Sequence, residues 1–329
     1  MIEFATYIDE RNAKKNIVNL YLSHLEELPL VARQHFIVRA ERAGMCDLST
    51  LESVLAEYSD TVNQYIVRLC GGEYKKIVKD LVSAYKSSPS PRKKAIGEYF
   101  SEVIGDANVC KILAVYQTVE SIDIFIRTGN IDLIDIEGFQ KCYEESIDEI
   151  EEFMLSNDFF SKHFSKAIVT YTNLWWYLRN YSENRALNPS RRLIKKRIME
   201  LIRKWLVDAY TDNEGDLESV VYGITHTIIG ATRFYTRPLQ VGYDCEIGIL
   251  ADFIRKHYYT EDLNLEAALC LKLSGMPEYQ YLVRNAVRAA KRAKVDGVSI
   301  VCNVPLRGDT VKDLTRNEHT NSLYIMCCS

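Results

Sequence analysis

The residues best placed to do chemistry lie on one apolar segment, 220–235, with the sequence VVYGITHTIIGATRFY. Tyr222, His226, Arg233 and Arg237 follow one another at spacings of 4, 7 and 4 residues, so on a helix they lie roughly along one line. A helix that is apolar nearly all the way round is buried, and its polar groups must be hydrogen-bonded or face a wet cavity. We therefore predict an inner helix that lines a pocket, with His226 as general base or metal ligand, Tyr222 assisting it and Arg233 binding an anion.

A purely structural explanation of this segment stays open. A buried histidine beside threonines often does no more than satisfy hydrogen bonds of the core, and only the shared line with Arg233 favours a site at His226. Gly223 and Gly230, seven residues apart, form a flat stripe that predicts close packing against a neighbouring helix.

A second polar group interrupts the last helix of the chain, where residues 316–321 read RNEHTN. A carboxylate beside an imidazole is a general acid and base pair, so we predict that Glu318 assists catalysis and that His319 and Asn321 bind the substrate. The alternative is a solvated polar end of a terminal helix, since exposed charge is the norm.

Metal binding is conceivable but is not predicted. Cys245, His226 and His319, with Asp244, include ligand types that zinc takes, yet none of them has the paired spacing of a zinc motif. Glu266 stands on a largely apolar helix and either reaches the same cavity or is an ordinary exposed residue. We predict no metal and no cofactor.

Composition excludes several classes of protein. The 329 residues carry 41 Lys and Arg against 45 Asp and Glu, a net charge of -4, and 47% hydrophobic residues, which is typical of a globular protein and not of a polycation. No secretory signal, membrane span, phosphate-binding GxxxxGK[ST] loop, GxGxxG, GxSxG or HExxH motif is visible. We expect a soluble cytoplasmic protein, nine reduced cysteines and no membrane contact; nucleic-acid binding through the basic helix at 190–205 is a third, weaker alternative.

Helical periodicity dominates the chain, so we predict an all-α fold of antiparallel helix hairpins. One helix, at about 51–69, is expected to begin in a capping box of Ser49 and Glu52. The other predicted helices are at 16–28, 74–85, 95–104, 109–128, 136–154, 160–181, 190–210, 217–235, 246–257, 263–274, 278–293 and 310–328.

The best candidate for a linker is the SSPSP stretch at 87–91. It predicts an N-terminal helical region at 1–88 and a main helical domain at 92–329. The same stretch is also compatible with a loop inside a single domain.

The C-terminal part resembles the inner and outer helix pairs of α/α-toroid proteins. The likeness covers roughly 190–329 and rests on GITHTIIG at 223–230, DLNLEAALCLKLSG at 262–275 and NEHTNSL at 317–323. These stretches also resemble an uncharacterised bacterial all-helical family. The resemblance implies a toroid-like or irregular helical array, but the Asp-rich motif of cyclases and the Cys-Cys-His zinc set of lanthionine cyclases are missing, so it implies no activity.

Two functions follow from these observations, and the sequence leaves open whether the chain is an enzyme. The first is an enzyme-like pocket of a bacterial cytosolic protein, centred on His226 and Arg233, for a polar or anionic small molecule or a sugar. The alternative is a helical interaction or scaffold protein without catalytic activity, whose acidic helix near 144–152 and basic helix near 185–204 bind a protein partner.

Overall fold

The computed structural model describes residues 2–88, 90–183, 189–212, 216–257 and 259–328. Within these residues it contains fourteen α-helices and one two-stranded sheet, which confirms the predicted all-α fold. The toroid-like arrangement stays a prediction. No helix among the described residues has both the length and the apolar character needed to cross a membrane.

The chain divides into two compact units, and the first is discontinuous in sequence. The first unit comprises Met1–Tyr58 and Arg237–Ser329, and the second comprises Ser59–Thr236. The predicted linker at 87–91 lies inside the second unit, although its Pro89 is outside the described residues.

Helices of the first unit pack around α12 and α14. The elements are α1 (Ile2–Ser23), α2 (Leu30–Arg42), the start of α3 (Leu48–Cys70), α11 (Asp244–Lys256), α12 (Glu261–Leu273), α13 (Gln280–Ala289), β1 (Arg292–Val295), β2 (Val298–Val301) and α14 (Thr310–Cys327). Helix α12 packs against α11, α13 and α14, and α14 also packs against α2. Tyr21 ties α1 into this core, since its ring stacks on Phe36 at 4.4 Å and its hydroxyl donates to the Leu314 carbonyl at 2.9 Å.

A short antiparallel hairpin replaces the end of the helix predicted at 278–293. Helix α13 ends at Ala289, and Asp296 and Gly297 form the turn between β1 and β2 with φ of 46° and 79°. Two residues with positive φ are typical of the tight hairpin turn that Asp-Gly favours. The side chain of Asn321 then binds the backbone of Val301, accepting from its N–H and donating to its carbonyl, both at 2.9 Å.

Eight helices, counting the rest of α3, build the second unit in the described residues. They are α4 (Tyr74–Ser87), α5 (Pro91–Val103), α6 (Ala107–Thr128), α7 (Ile136–Met154), α8 (Ile168–Glu183), α9 (Pro189–Thr211) and α10 (Leu217–Ala231) in addition to α3. Helix α4 packs against α5 and α6, and α8 packs against α6 and α10. Aspartates at 106, 135 and 216 begin three of these helices by accepting hydrogen bonds from first-turn amides.

Several helices differ from their predicted bounds: α1 is Ile2–Ser23 rather than 16–28, and α5 begins at Pro91 rather than at 95. Asp47, not Ser49, caps α3, because its carboxylate accepts from the Thr50 amide at 2.8 Å. The helix predicted at 160–181 is broken, with a π turn at Phe159–His163 and a 3-10 turn at Phe164–Lys166 before α8 begins. Helix α2 was not predicted.

The predicted flat stripe of α10 is confirmed. A Cβ added at Gly230 would overlap the indole ring of Trp176 on α8, and one added at Gly223 would come within 2.6 Å of Ile168 and Leu206 side-chain atoms. The missing side chains therefore let α8 and α9 approach α10 closely.

We expect Gly230→Ala to lower the free energy of unfolding by about 1–3 kcal/mol or more, because the methyl group has no space beside Trp176. Gly248→Ala on α11 is the matched control, since a Cβ there meets no atom within 4 Å. It should be neutral or stabilising by up to about 1 kcal/mol. Chemical denaturation of both variants measures the difference, and equal stability would contradict the close packing.

A disulfide joins Cys70 at the end of α3 to Cys142 on α7, with Cα atoms 5.4 Å apart. This corrects the expectation that all nine cysteines are thiols. The spacing rules for disulfides did not reveal the pair, because the two cysteines are 72 residues apart.

Cys142→Ser is expected to lower the free energy of unfolding by about 2–4 kcal/mol, because the disulfide closes a long loop of the unfolded chain. Thermal melting with and without a reductant measures the effect, and Cys245→Ser, at an exposed cysteine outside the disulfide, is the control. A wild-type melting temperature that is insensitive to reductant would count against the bond.

Candidate functional site

Two imidazoles and three carboxylates meet in the first unit. His35 comes from α2, Asp262 and Glu266 from α12, and Glu318 and His319 from α14; we call these five residues the imidazole–carboxylate cluster. All three carboxylate residues are buried, with 9% or less of their surface exposed. Buried charge of this density needs specific partners, so the cluster is the most demanding polar arrangement of this unit.

Asp262 holds His319. Nδ1 of His319 is 2.7 Å from Oδ1 of Asp262, and the hydroxyl of Thr320 donates to the same oxygen at 2.7 Å. Asp262 lies in the first turn of α12, which Thr260 caps by accepting from the Leu263 amide. The start of α12 therefore fixes the position of the Asp262 carboxylate, and this carboxylate fixes the orientation of the His319 ring.

Glu318 holds His35 in the same way. Nδ1 of His35 is 2.7 Å from Oε2 of Glu318, while the Ser322 hydroxyl, one helical turn further on, donates to Oε1 at 2.7 Å. Each carboxylate of the two pairs thus binds one imidazole and one hydroxyl.

The two imidazole rings stack on each other. Their centroids are 5.4 Å apart and their planes are inclined by 28°. The His35 and His319 side chains are 32% and 34% exposed, although their carboxylate partners are buried. The rings are therefore more exposed to solvent than the carboxylates that hold them.

The surroundings shift the pKa values of the two histidines in opposite directions. Burial and the positive charge of Arg39 lower the pKa of His35 to about 4. Burial also acts to lower the pKa of His319, but the charge and hydrogen bond of Asp262 outweigh it and raise that pKa above its ordinary value. Burial acts to raise the pKa of Glu318, yet its contacts with His35 and the charge of Arg39 lower it to about 2.

Glu266 extends the cluster on the other side of His319. Its Oε2 is 3.8 Å from Nε2 of His319, and the residue is 1% exposed on a helix whose neighbouring Leu265 and Ala267 are fully buried. One donor atom each from Asp262, Glu266 and His319 lies within 4.8 Å of the other two. Among the described residues, this is the group of three that could hold a metal ion.

The predicted site residues fall into both units. Glu318 and His319 belong to the cluster. Asn321 is buried on the same helix and hydrogen-bonds to β2, and it makes none of the cluster contacts described above. Tyr222, His226 and Arg233 belong to the second unit.

In the second unit, His226 pairs with a neutral partner. Its Nδ1 is 2.7 Å from the amide oxygen of Asn173, a buried residue of α8. One turn earlier on α10, the ring of Tyr222 lies under the guanidinium of Arg92, with 3.9 Å between the guanidinium carbon and the ring centroid.

Arg233 does not continue the line of the helix, because α10 ends at Ala231 rather than at 235 as predicted. Arg233, Phe234 and Tyr235 have φ of 48°, 51° and 73°, in the left-handed region that residues with side chains rarely adopt. Phe234 holds this turn, since its ring stacks on Tyr177 at 4.5 Å with the planes 8° apart.

Sequence reasoning missed His35 and the role of Asp262. His35 lies on α2, where no helix was predicted, and Asp262 stood just before the helix predicted at 263–274 and was given no role. The available signal was the apolar spacing of Phe36, Ile37 and Ala40 behind Pro29, which predicts a helix with His35 beside its buried face.

No protein-family model, no curated protein and no solved structure matches this chain. The chemistry of the cluster is therefore argued from its own residues.

We expect His226→Ala to lower the free energy of unfolding by about 1–3 kcal/mol, because it removes the imidazole from the buried amide oxygen of Asn173. A double-mutant cycle with Asn173→Ala measures the pair directly. A coupling of at least about 0.5 kcal/mol is expected for two contacting groups, and additive losses would contradict the contact.

Proposed function

We propose that the chain is an enzyme-like protein that binds a polar small molecule at the imidazole–carboxylate cluster of its first unit. The observation that carries the proposal is the stacked pair of histidines, each held through Nδ1 by a buried carboxylate and each about one-third exposed.

This geometry supports proton transfer to and from a bound molecule. A carboxylate on Nδ1 fixes the tautomer and the orientation of an imidazole, which leaves Nε2 of His35 to act on a ligand, while Nε2 of His319 lies 3.8 Å from the Glu266 carboxylate. In this proposal His35 and His319 contact the substrate, while Asp262 and Glu318 position them. Glu318 therefore acts through His35 rather than on the substrate itself.

Three carboxylates favour a ligand that donates hydrogen bonds. The buried carboxylates repel an anion, whereas the hydroxyl groups of a sugar or polyol can donate to the neutral imidazole nitrogens in front of them. Among the ligands expected from the sequence, the cluster thus supports a sugar or polyol better than an anionic molecule.

The pocket predicted at His226 and Arg233 is retained as a second location for the ligand, in the second unit. His226 is partly exposed next to Tyr222 and Arg92, which supports a polar contact there.

The scaffold function remains the alternative, and the acidic face of α7 favours it. Glu144, Glu145, Asp148 and Glu152 are exposed on one helix, which is the surface a basic protein partner would bind.

Cytoplasmic location and bacterial origin are also part of the proposal. The Cys70–Cys142 disulfide weighs against the cytoplasm, because such bonds persist mainly in oxidising compartments.

The test is a ligand screen on chelator-treated protein, with sugars, polyols and anionic metabolites, read by thermal shift and then by calorimetry. We expect a hydroxyl-rich ligand whose Kd rises by about tenfold or more in His35→Gln and His319→Gln, because each loses an ordered hydrogen-bonding group. His24→Gln is the control, since His24 also pairs with an acid, Glu27, at 2.9 Å but lies outside the cluster.

Two other outcomes of the screen would contradict a ligand site at the cluster. A ligand whose Kd rises only in His226→Gln moves the site to the second unit. A chain that binds no member of the panel, but binds a basic peptide that is lost on charge reversal of α7, is a scaffold.

A further inference from the structure

We propose that Asp262, Glu266 and His319 bind one divalent transition-metal ion, such as zinc or cobalt. Asp262 and Glu266 are four residues apart on α12 and so share one face of that helix, while His319 comes from α14. The site therefore uses two packed helices of the same unit.

The distances are close to those of a coordination sphere. One donor atom from each residue lies within 4.8 Å of the other two. Donors bound at about 2.1 Å to a tetrahedral zinc ion are about 3.4 Å apart, so small side-chain rotations bring the three onto one ion. Binding then exchanges the hydrogen bond between Asp262 and His319 for coordination, so in the metal-bound chain these two residues hold the ion and His35 alone contacts the ligand directly.

The donor set selects the class of metal. One imidazole and two carboxylates suit borderline divalent ions, of which zinc and cobalt are examples. Magnesium and calcium prefer oxygen donors alone, and soft ions prefer sulfur.

Burial and charge favour an ion at this place. Two carboxylates one turn apart on α12 are 9% and 1% exposed, and buried charges are usually paired or coordinate metals. The hydroxyl of Thr320 already donates to Asp262, and such outer contacts orient metal ligands. His319 is 34% exposed, which gives the ion a route from solvent.

The role of the ion rests on the proposed function, whereas its binding does not. Three protein ligands leave a coordination position open, as catalytic sites do, and a hydroxyl oxygen of the ligand can take it. The ion would then polarise the same molecule that His35 contacts.

The test is titration of the chelator-treated full chain with Co²⁺ under reducing conditions, followed by its visible absorption. We expect one ion per chain, the d–d bands of a nitrogen and oxygen site, and no thiolate charge-transfer bands. Glu266→Gln and His319→Gln should weaken binding by about tenfold or more.

Glu278→Gln is the matched control for Glu266→Gln, because Glu278 is exposed and outside the cluster. His24→Gln, at a histidine outside the cluster, should bind Co²⁺ like the wild type. Circular dichroism and thermal melting verify that each variant is folded; if Glu266→Gln is not, Asp262→Asn replaces it.

Three results would overturn the metal site: no stoichiometric Co²⁺ binding, thiolate charge-transfer bands, or binding that survives both Glu266→Gln and His319→Gln. The two proposals fail independently, because Co²⁺ spectra need no ligand and the ligand screen uses metal-free protein. A metal without any ligand would indicate a structural ion.

Discussion

The first unit depends on the burial of carboxylates between α12 and α14. Asp262, Glu266 and Glu318 occupy positions that apolar side chains would fill in an ordinary helical core. Such burial is costly unless the charge is hydrogen-bonded or paired, and removing one partner of a buried pair is strongly destabilising. The imidazoles of His35 and His319 supply those partners. The contacts that keep α2, α12 and α14 together are thus the same contacts that orient the candidate site.

The polar core also explains how the hairpin is attached. Asn317 and Asn321 stand on α14 one turn apart, and their side chains bind backbone groups around β2. Strands of four residues bury too little surface to be stable alone, so these amide contacts hold them. One helix therefore carries both the support for the strands and two members of the cluster.

Much of the fold was predictable, because helices long enough to show several turns of apolar spacing reveal themselves. The bounds of α7 were predicted as the structure has them, and those of α4, α6 and α9 to within two residues. The hairpin was missed because four residues are too few for a period, although Asp296-Gly297 is a hairpin signal. The cluster was only partly predictable. Glu318 and His319 stood out because polar residues interrupt the apolar positions of the last helix. His35 is 283 residues from Glu318 in the sequence, and no spacing rule relates residues at that separation.

Buried polar groups find hydrogen-bond partners in both units. The two units differ in which partner their histidines have. His226 contacts the amide oxygen of Asn173, which satisfies one hydrogen bond of the ring. His319 meets a carboxylate, whose charge stabilises the protonated ring and opposes the effect of burial. A sequence shows His226 in an apolar segment and His319 in a polar stretch of the last helix, but not which partner each one has. Because His35 and His319 stack on each other and each binds a buried carboxylate, the chemistry is better supported in the first unit than at the histidine whose sequence context was more prominent.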